Sequence, residues 1–184
     1  FGRSDCDQAD IINMSLGGSE PDAATAAAIA DARAQGALVI VAAGNDGRGP
    51  VNYPGADQLA IGVSAMGRKG TFPRDSAHRA EMARPYGSNR GNFVAAFSNI
   101  GPEIDLTGPG VAIVSTVPGG YAALDGTSMA CPAATGAAAA LLARNRNILK
   151  MRRGPARSDA MAQIVFAAAR ELGFGAIYEG RGML

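Results

Sequence analysis

Two apolar runs separated by an Ala-rich stretch constrain this chain more than anything else in it. Residues 11–16 (IINMSL) are closed by Gly17-Gly18, and residues 37–43 (ALVIVAA) lie between Gly36 and Gly44. Between them, residues 21–35 (PDAATAAAIADARAQ) are mostly Ala, with Pro21 suited to a first helical turn and Gly36 to a C-terminal cap. Neither run alternates polar with apolar residues, so each predicts a strand buried on both faces. Strand, helix and strand in so short a span make a right-handed βαβ crossover, which requires a parallel sheet. The expected fold class is α/β: a mostly parallel sheet flanked by helices.

Further strands are predicted at 59–65 (LAIGVSA), 93–97 (FVAAF), 104–107 and 111–115 (VAIVS). Residues 129–143 (MACPAATGAAAALLA) are apolar on all sides, which predicts a helix buried in close packing. Residues 159–172 (DAMAQIVFAAAREL) predict a last amphipathic helix, capped by Gly173. Residues 67–92 break this pattern. There Arg68, Lys69, Arg74, Arg79, Arg84 and Arg90 face only Asp75 and Glu81, a local charge of +4, among scattered Gly, Pro and Ser. The stretch reads most simply as a solvated surface loop, with a partner-binding loop as the alternative. A second basic run, Arg144 to Arg157, meets no acid until Asp159 and reads as a helix end followed by a loop.

Charge and rare residues exclude several functions. Lys plus Arg (17) nearly balances Asp plus Glu (16), so neither nucleic acid nor an anionic membrane is the expected partner. No run approaches the ~20 apolar residues of a membrane-spanning helix. The single histidine, His78, rules out a site built on several His ligands or bases. Cys6 and Cys131 sit in no metal-ligand spacing, and Cys131, within an apolar run, is expected as a buried free thiol. No metal is expected from these residues.

Two loops carry chemistry. Gly126-Thr127-Ser128-Met129-Ala130-Cys131-Pro132 precedes the buried helix, where backbone N–H groups and the helix dipole favour developing negative charge. Taken singly, Ser128 reads more simply as an N-cap than as a reactive group. Ala42-Ala43-Gly44-Asn45-Asp46-Gly47 lies at the C-terminal end of a predicted parallel strand, where α/β sheets bind ligands. The Asn45 amide can donate to an oxyanion there, or simply stabilise a turn. A phosphate-binding loop is not supported, since both G-x-G-x-x-G and a G-K-[ST] ending are absent.

These loops do not stand alone. INMSLGG (12–18), VAAGNDG (41–47), NYPG (52–55), FSNIGPEIDLTGPG (97–110), LDGTSMACP (124–132) and the closing YEGRGML (178–184) follow one another as in subtilisin-like serine proteases. The chain resembles the C-terminal portion of such a catalytic domain, residues 1–184, with the 67–92 excursion longer than usual. The resemblance implies a serine endopeptidase in which Ser128 is the nucleophile, and Asn45 stabilises the oxyanion together with the Ser128 N–H. It implies that Ser15, Leu16 and Gly17 pair with the substrate backbone and wall one side of the specificity pocket. Ala42, Ala43 and Gly44 wall the other side, with Asp46 and Asn52 at its mouth and base. An acid at that mouth favours basic, or at least not acidic, substrate side chains. Met129, beside the nucleophile, implies sensitivity to oxidation if exposed. Asp105 falls where some relatives bind a cation weakly. No other cofactor is implied, and secretion or a periplasmic location is the family habit.

The chain also departs from that pattern. The family's Asp motif and His motif lie upstream of the segment matching residues 11–16, and neither is found here. His78 follows Asn45 in chain order and is followed by Arg79-Ala80 rather than Gly-Thr, so a solvated surface histidine is expected, not a general base. The chain starts at Phe1, with no basic-then-apolar leader, and is expected to be a processed or excised piece. Its partners would be a polypeptide substrate and an upstream Asp/His-bearing segment of the same precursor. Without that segment, the strand at 11–14 has an open edge able to pair with a second copy. The alternative is a non-catalytic pseudoprotease that keeps the fold as a binding scaffold.

Overall fold

A computed structural model describes residues 8–184, which leaves Cys6 outside the described residues. In chain order the first elements are strand β1 (Ile11–Met14), helix α1 (Ala23–Ala34), β2 (Leu38–Ala42) and β3 (Ile61–Arg68). An antiparallel pair follows, β4 (Met82–Tyr86) and β5 (Asn92–Ala95), then β6 (Ile104–Pro109) and a hairpin of β7 (Ile113–Val117) and β8 (Gly120–Leu124). Helices α2 (Thr127–Arg144), α3 (Arg146–Leu149), α4 (Pro155–Ala168) and α5 (Ala176–Glu179) complete the chain.

The βαβ expectation holds. β1, β2, β3 and β6 form a parallel sheet in that order, with Ile11 opposite Leu38, Ile40 opposite Ile61, and Leu106 opposite Val63. All five residues of β2 are buried, as an all-apolar strand covered on both faces must be. Period-two alternation then divides them between two cores. Leu38, Ile40 and Ala42 pack with Ala130, Ala134 and Leu142 of α2 and Met161 and Val165 of α4. Val39 and Val41 pack with Ile29 and Ala32 of α1. The start of α1 is set by Asp22, whose carboxylate accepts the Thr25 N–H at 2.8 Å, so Pro21 lies just outside the helix.

Four elements differ from expectation. The 67–92 excursion is no loop: β3 runs on to Arg68, a turn of 3₁₀ helix covers Ala77–Glu81, and β4 with β5 forms an antiparallel ribbon. Met66 is opposite both Val94 of β5 and Pro109 of β6, so β5 takes over the β3 edge where β2 ends. The run at 111–115 belongs to the β7–β8 hairpin, whose Val114 and Tyr121 are exposed and whose second strand had no apolar signal. The last helix starts four residues earlier than predicted, at Pro155, and ends at Ala168. Finally, α2 is buried on one face only, and Pro132, Gly136, Ala139, Ala140 and Ala143 are exposed.

The second basic run also has a fixed role. Arg157 is buried, donating to the Gly36 carbonyl (2.6 Å) and to Asp10 (2.6 Å). Arg153 reaches the same carboxylate at 3.0 Å and the Gln35 carbonyl at 3.0 Å. The acid missing from the local sequence is thus supplied from before β1.

Candidate active site

The parallel strands point their C-terminal ends toward one edge of the sheet, and the loops leaving β1 and β2 meet the start of α2 there. Leu16, Gly17, Ala42, Gly44, Asn45, Asp46, Asn52, Thr127 and Ser128 line a cleft of about 310 Å³. Ser15 joins them through Ser128, and Ala43 lies buried beneath. All ten residues singled out from the sequence therefore converge on one place.

Gly126 caps α2, with φ of +153°, and Thr127 is its first residue. Ser128 is consequently in the first turn, where backbone N–H groups lack intrahelical acceptors. Four residues on stands Pro132, which has no N–H to give to the Ser128 carbonyl. That orphaned carbonyl is taken up from outside the helix: the Ser15 hydroxyl donates to it at 3.0 Å. In return, the Ser128 hydroxyl donates to the Ser15 carbonyl at 3.5 Å. The proline that looks like a helix defect thus leaves the Ser128 carbonyl free to be tied to the end of β1.

Asn45 is oriented just as firmly. Its Oδ1 accepts both the Thr127 N–H and the Thr127 hydroxyl, each at 2.9 Å. A backbone N–H can only donate, so this bond fixes which end of the amide is oxygen and leaves Nδ2 without a hydrogen-bond acceptor among the described residues. The Thr127 hydroxyl also lies 3.2 Å from the Gly44 nitrogen. Gly44 has φ of +106°, and a Cβ there would come within 2.6 Å of the Asn52 amide and collide with Asn99. Only glycine fits.

Behind Asn45, the Asp46 carboxylate accepts the side-chain amides of Asn52 and Asn99, both at 2.9 Å, while its own N–H donates to Asn99 at 2.7 Å. Asp46 is therefore held at the cleft mouth by two amides. Asn99 had no local signal in the sequence, because it comes from the distant FSN turn. Past β1, Ser15, Leu16 and Gly17 run without a strand partner among the described residues until Gly18, which bridges Tyr53. Leu16 is 56% exposed.

The expectation for His78 fails. It is not solvated: its Nδ1 lies 2.7 Å from Asp125, its side chain is 18% exposed, and Phe72 packs edge-on against its ring. Asp125 also accepts the Ala112 N–H at 2.7 Å, and it stands immediately before the Gly126 cap. Among the described residues, the Ser128 hydroxyl meets only the Ser15 carbonyl, and His78 makes no hydrogen bond to it.

Cys131 is fully buried and, among the described residues, forms no disulfide; burial pushes its thiol up to about 11. Met129 is half-buried. Asp105 accepts the Gly62 N–H at 3.0 Å, and burial raises its carboxyl above the usual range despite that bond and the nearby Arg181. No cluster of three metal-ligating side chains occurs among the described residues. Nor is any helix among them long and apolar enough to cross a membrane.

Comparison with known proteins agrees with this geometry. The sequence model of the subtilase family matches residues 3–181. Subtilisin NAT of Bacillus subtilis subsp. natto is 38% identical over 141 residues, covering 74% of this chain and 31% of that protein. Subtilisin Savinase of Lederbergia lenta is 35% identical over 136 residues, covering 73% and 42%. The solved structure of S41 psychrophilic protease superposes with a TM-score of 0.70 at 29% identity, covering 94% of this chain and 56% of that one. The chain spans less than half the length of these two subtilisins.

Proposed function

The chain belongs to the subtilase family, and on that premise we propose that it forms the nucleophile-bearing part of a serine endopeptidase. Ser128 Oγ attacks the scissile carbonyl, and the developing oxyanion is received by Asn45 Nδ2 and the Ser128 N–H. The substrate lies as an added strand against Ser15, Leu16 and Gly17, which have no partner of their own. Ala42, Ala43 and Gly44 form the opposite wall, with Asp46 and Asn52 at the rim favouring a basic over an acidic side chain before the cut. The observation that carries this reading is the free Asn45 Nδ2, held in place by Thr127 beside Ser128.

The proton of Ser128 needs a base, and we place it, with its orienting Asp, on an upstream segment of the same precursor. Two surfaces support this. β1 pairs only with β2 among the described residues, leaving one edge open. The exposed Ala and Gly residues of α2 stand ready for close packing. Export from the cell fits the same family reading. A weak cation at Asp105 remains a proposal of this kind, tested in the Discussion.

The test is labelling by a fluorophosphonate probe, with Ser128→Ala as control. The full-length protein is expected to label at Ser128, and residues 1–184 alone are not. A folded full-length protein that fails to label would overturn the reading and leave a binding scaffold with the family fold. Residues 1–184 alone are also expected to dimerise or aggregate through β1; a clean monomer by light scattering at about 10 μM would count against the open edge.

A further inference from the structure

The excursion carries a concave surface that the chemistry at Ser128 does not use. Beside the end of β3, Lys69, Arg84, Tyr86, Ser88, Arg90 and Tyr178 help line a cleft of about 850 Å³. A second hollow of about 420 Å³ shares Lys69 and adds Arg74 and Arg79. Among the described residues, no carboxylate lines either one, and none of these five cations forms a salt bridge. All five are exposed at the surface. Concave walls carrying one sign of charge concentrate the field between them. A chain of overall charge +1 has therefore gathered an unbalanced positive patch around two hollows that share Lys69.

A sixth cation lies against it. Arg48, at φ of +74°, donates to the carbonyls of Arg84 (2.9 Å) and Val94 (3.1 Å), and its guanidinium stands 5.6 Å from the centre of the Tyr178 ring. Among the described residues, its Nη1 is buried without a partner. Arg48 is three residues after Asn45 in the same loop, so one side chain connects the cleft wall to the oxyanion loop.

We propose that this basic cleft is an exosite for an acidic stretch of polypeptide, a run of Asp or Glu in a protein substrate away from the residue at the cut. The inference rests on the endopeptidase reading, which supplies polypeptide as the ligand class. The structure argues against the other polyanions. A single nucleic-acid strand is held by bases stacked on open aromatic faces. Here Lys69 Nζ sits 3.9 Å from the Tyr86 ring centre, and Arg48 covers Tyr178, so both rings already have cations over them. An anionic membrane is flat and is gripped by apolar insertion alongside charge. This surface is concave, and its exposed cations flank a half-exposed tyrosine rather than an apolar patch.

The experiment uses the full-length protein and two peptide substrates identical around the cut, one carrying a distal run of six Glu and the other six Gln. Wild-type kcat/KM is expected to favour the Glu substrate by about tenfold or more at low salt, mostly through KM. The advantage should vanish in 1 M NaCl, where the screening length is about 3 Å. In the variant Lys69→Glu/Arg84→Glu/Arg90→Glu, the ratio of the two kcat/KM values should fall to one or below. Binding is read separately by anisotropy of labelled hexaglutamate on Ser128→Ala, with a single-stranded oligonucleotide and anionic vesicles as rivals. Equal cleavage of the two substrates by the wild type, with no hexaglutamate binding, overturns the proposal, and so does tighter binding of oligonucleotide or vesicles. If neither substrate is cleaved, the endopeptidase reading fails, while the anisotropy result still decides whether the cleft takes an acidic peptide. The salt dependence needs no variant, so a misfolded triple mutant leaves the test intact.

Discussion

The exchange between Ser15 and Ser128 predicts an energetic coupling to Pro132 that can be measured. In the structure the Ser128 carbonyl has no intrahelical partner, because position 132 has no N–H, and the Ser15 hydroxyl supplies one at 3.0 Å. Ser15→Ala removes that donor from a half-buried carbonyl, which should cost about 1 kcal/mol, a net hydrogen bond with part of its desolvation penalty. Pro132→Ala restores an N–H four residues after Ser128. The residue is exposed, and relief of the roughly 3 kcal/mol penalty of an internal proline exceeds the 0.4–1 kcal/mol lost by loosening the unfolded chain. Pro132→Ala should therefore stabilise. In that background the carbonyl is already satisfied, so Ser15→Ala should cost only about 0.3 kcal/mol, leaving a coupling near 0.7 kcal/mol. The assay is a double-mutant cycle in urea unfolding of the full-length protein, followed by circular dichroism. If the two substitutions add to within about 0.3 kcal/mol, the typical agreement for independent sites, the proline does not create the acceptor and the argument fails.

Other consequences follow from single residues. Asn45→Leu should lower kcat by ~10²–10³ with little change in KM, a magnitude taken over from subtilisin, the type case of an oxyanion amide; a change confined to KM would refute the role. Cys131, with its thiol pushed up to about 11, should resist iodoacetamide at pH 8 in the folded protein and react after unfolding, as read by mass spectrometry. Asp105 is held above its unfolded value of 3.8, so the folded state binds its proton more tightly and loses stability as pH rises through the folded pKa. Asp105→Asn, which can still accept the Gly62 N–H, should hold or raise Tm at pH 7. A Ca²⁺-dependent gain in Tm that the variant abolishes would instead establish a cation there.

What the sequence disclosed and what it hid divide along physical lines. β1, α1 and β2 were legible because their signals are local: continuous apolar runs, an Ala-rich stretch, and glycines at the turns. The cleft was legible for a different reason, since its residues recur in a known order along the chain. The hidden parts all depend on partners far away in sequence. Nothing near Arg157 announces that it will be buried on Asp10 and the Gly36 carbonyl, because that acid lies 147 residues away. Asn99 looks like any turn residue until Gly44 and Asp46 are folded against it. The β8 sequence GYAAL carries neither length nor alternation, and only the turn at Pro118-Gly119 brings it back onto β7.

The excursion is the most instructive miss, because charge and glycine content both argue for a solvated loop. Composition reports solubility, and this ribbon is soluble on its outer face while its inner residues do structural work. His78 reaches Asp125, which directly precedes the cap of α2. On the other side, the loop that carries Asn45 sends Arg48 out to Arg84 and Val94 of the ribbon. The excursion therefore touches both loops that bear the proposed chemistry, each within three residues of the reacting group. Its anchoring to the sheet makes it a brace for the two loops, and the basic cleft lies on the outside of that brace.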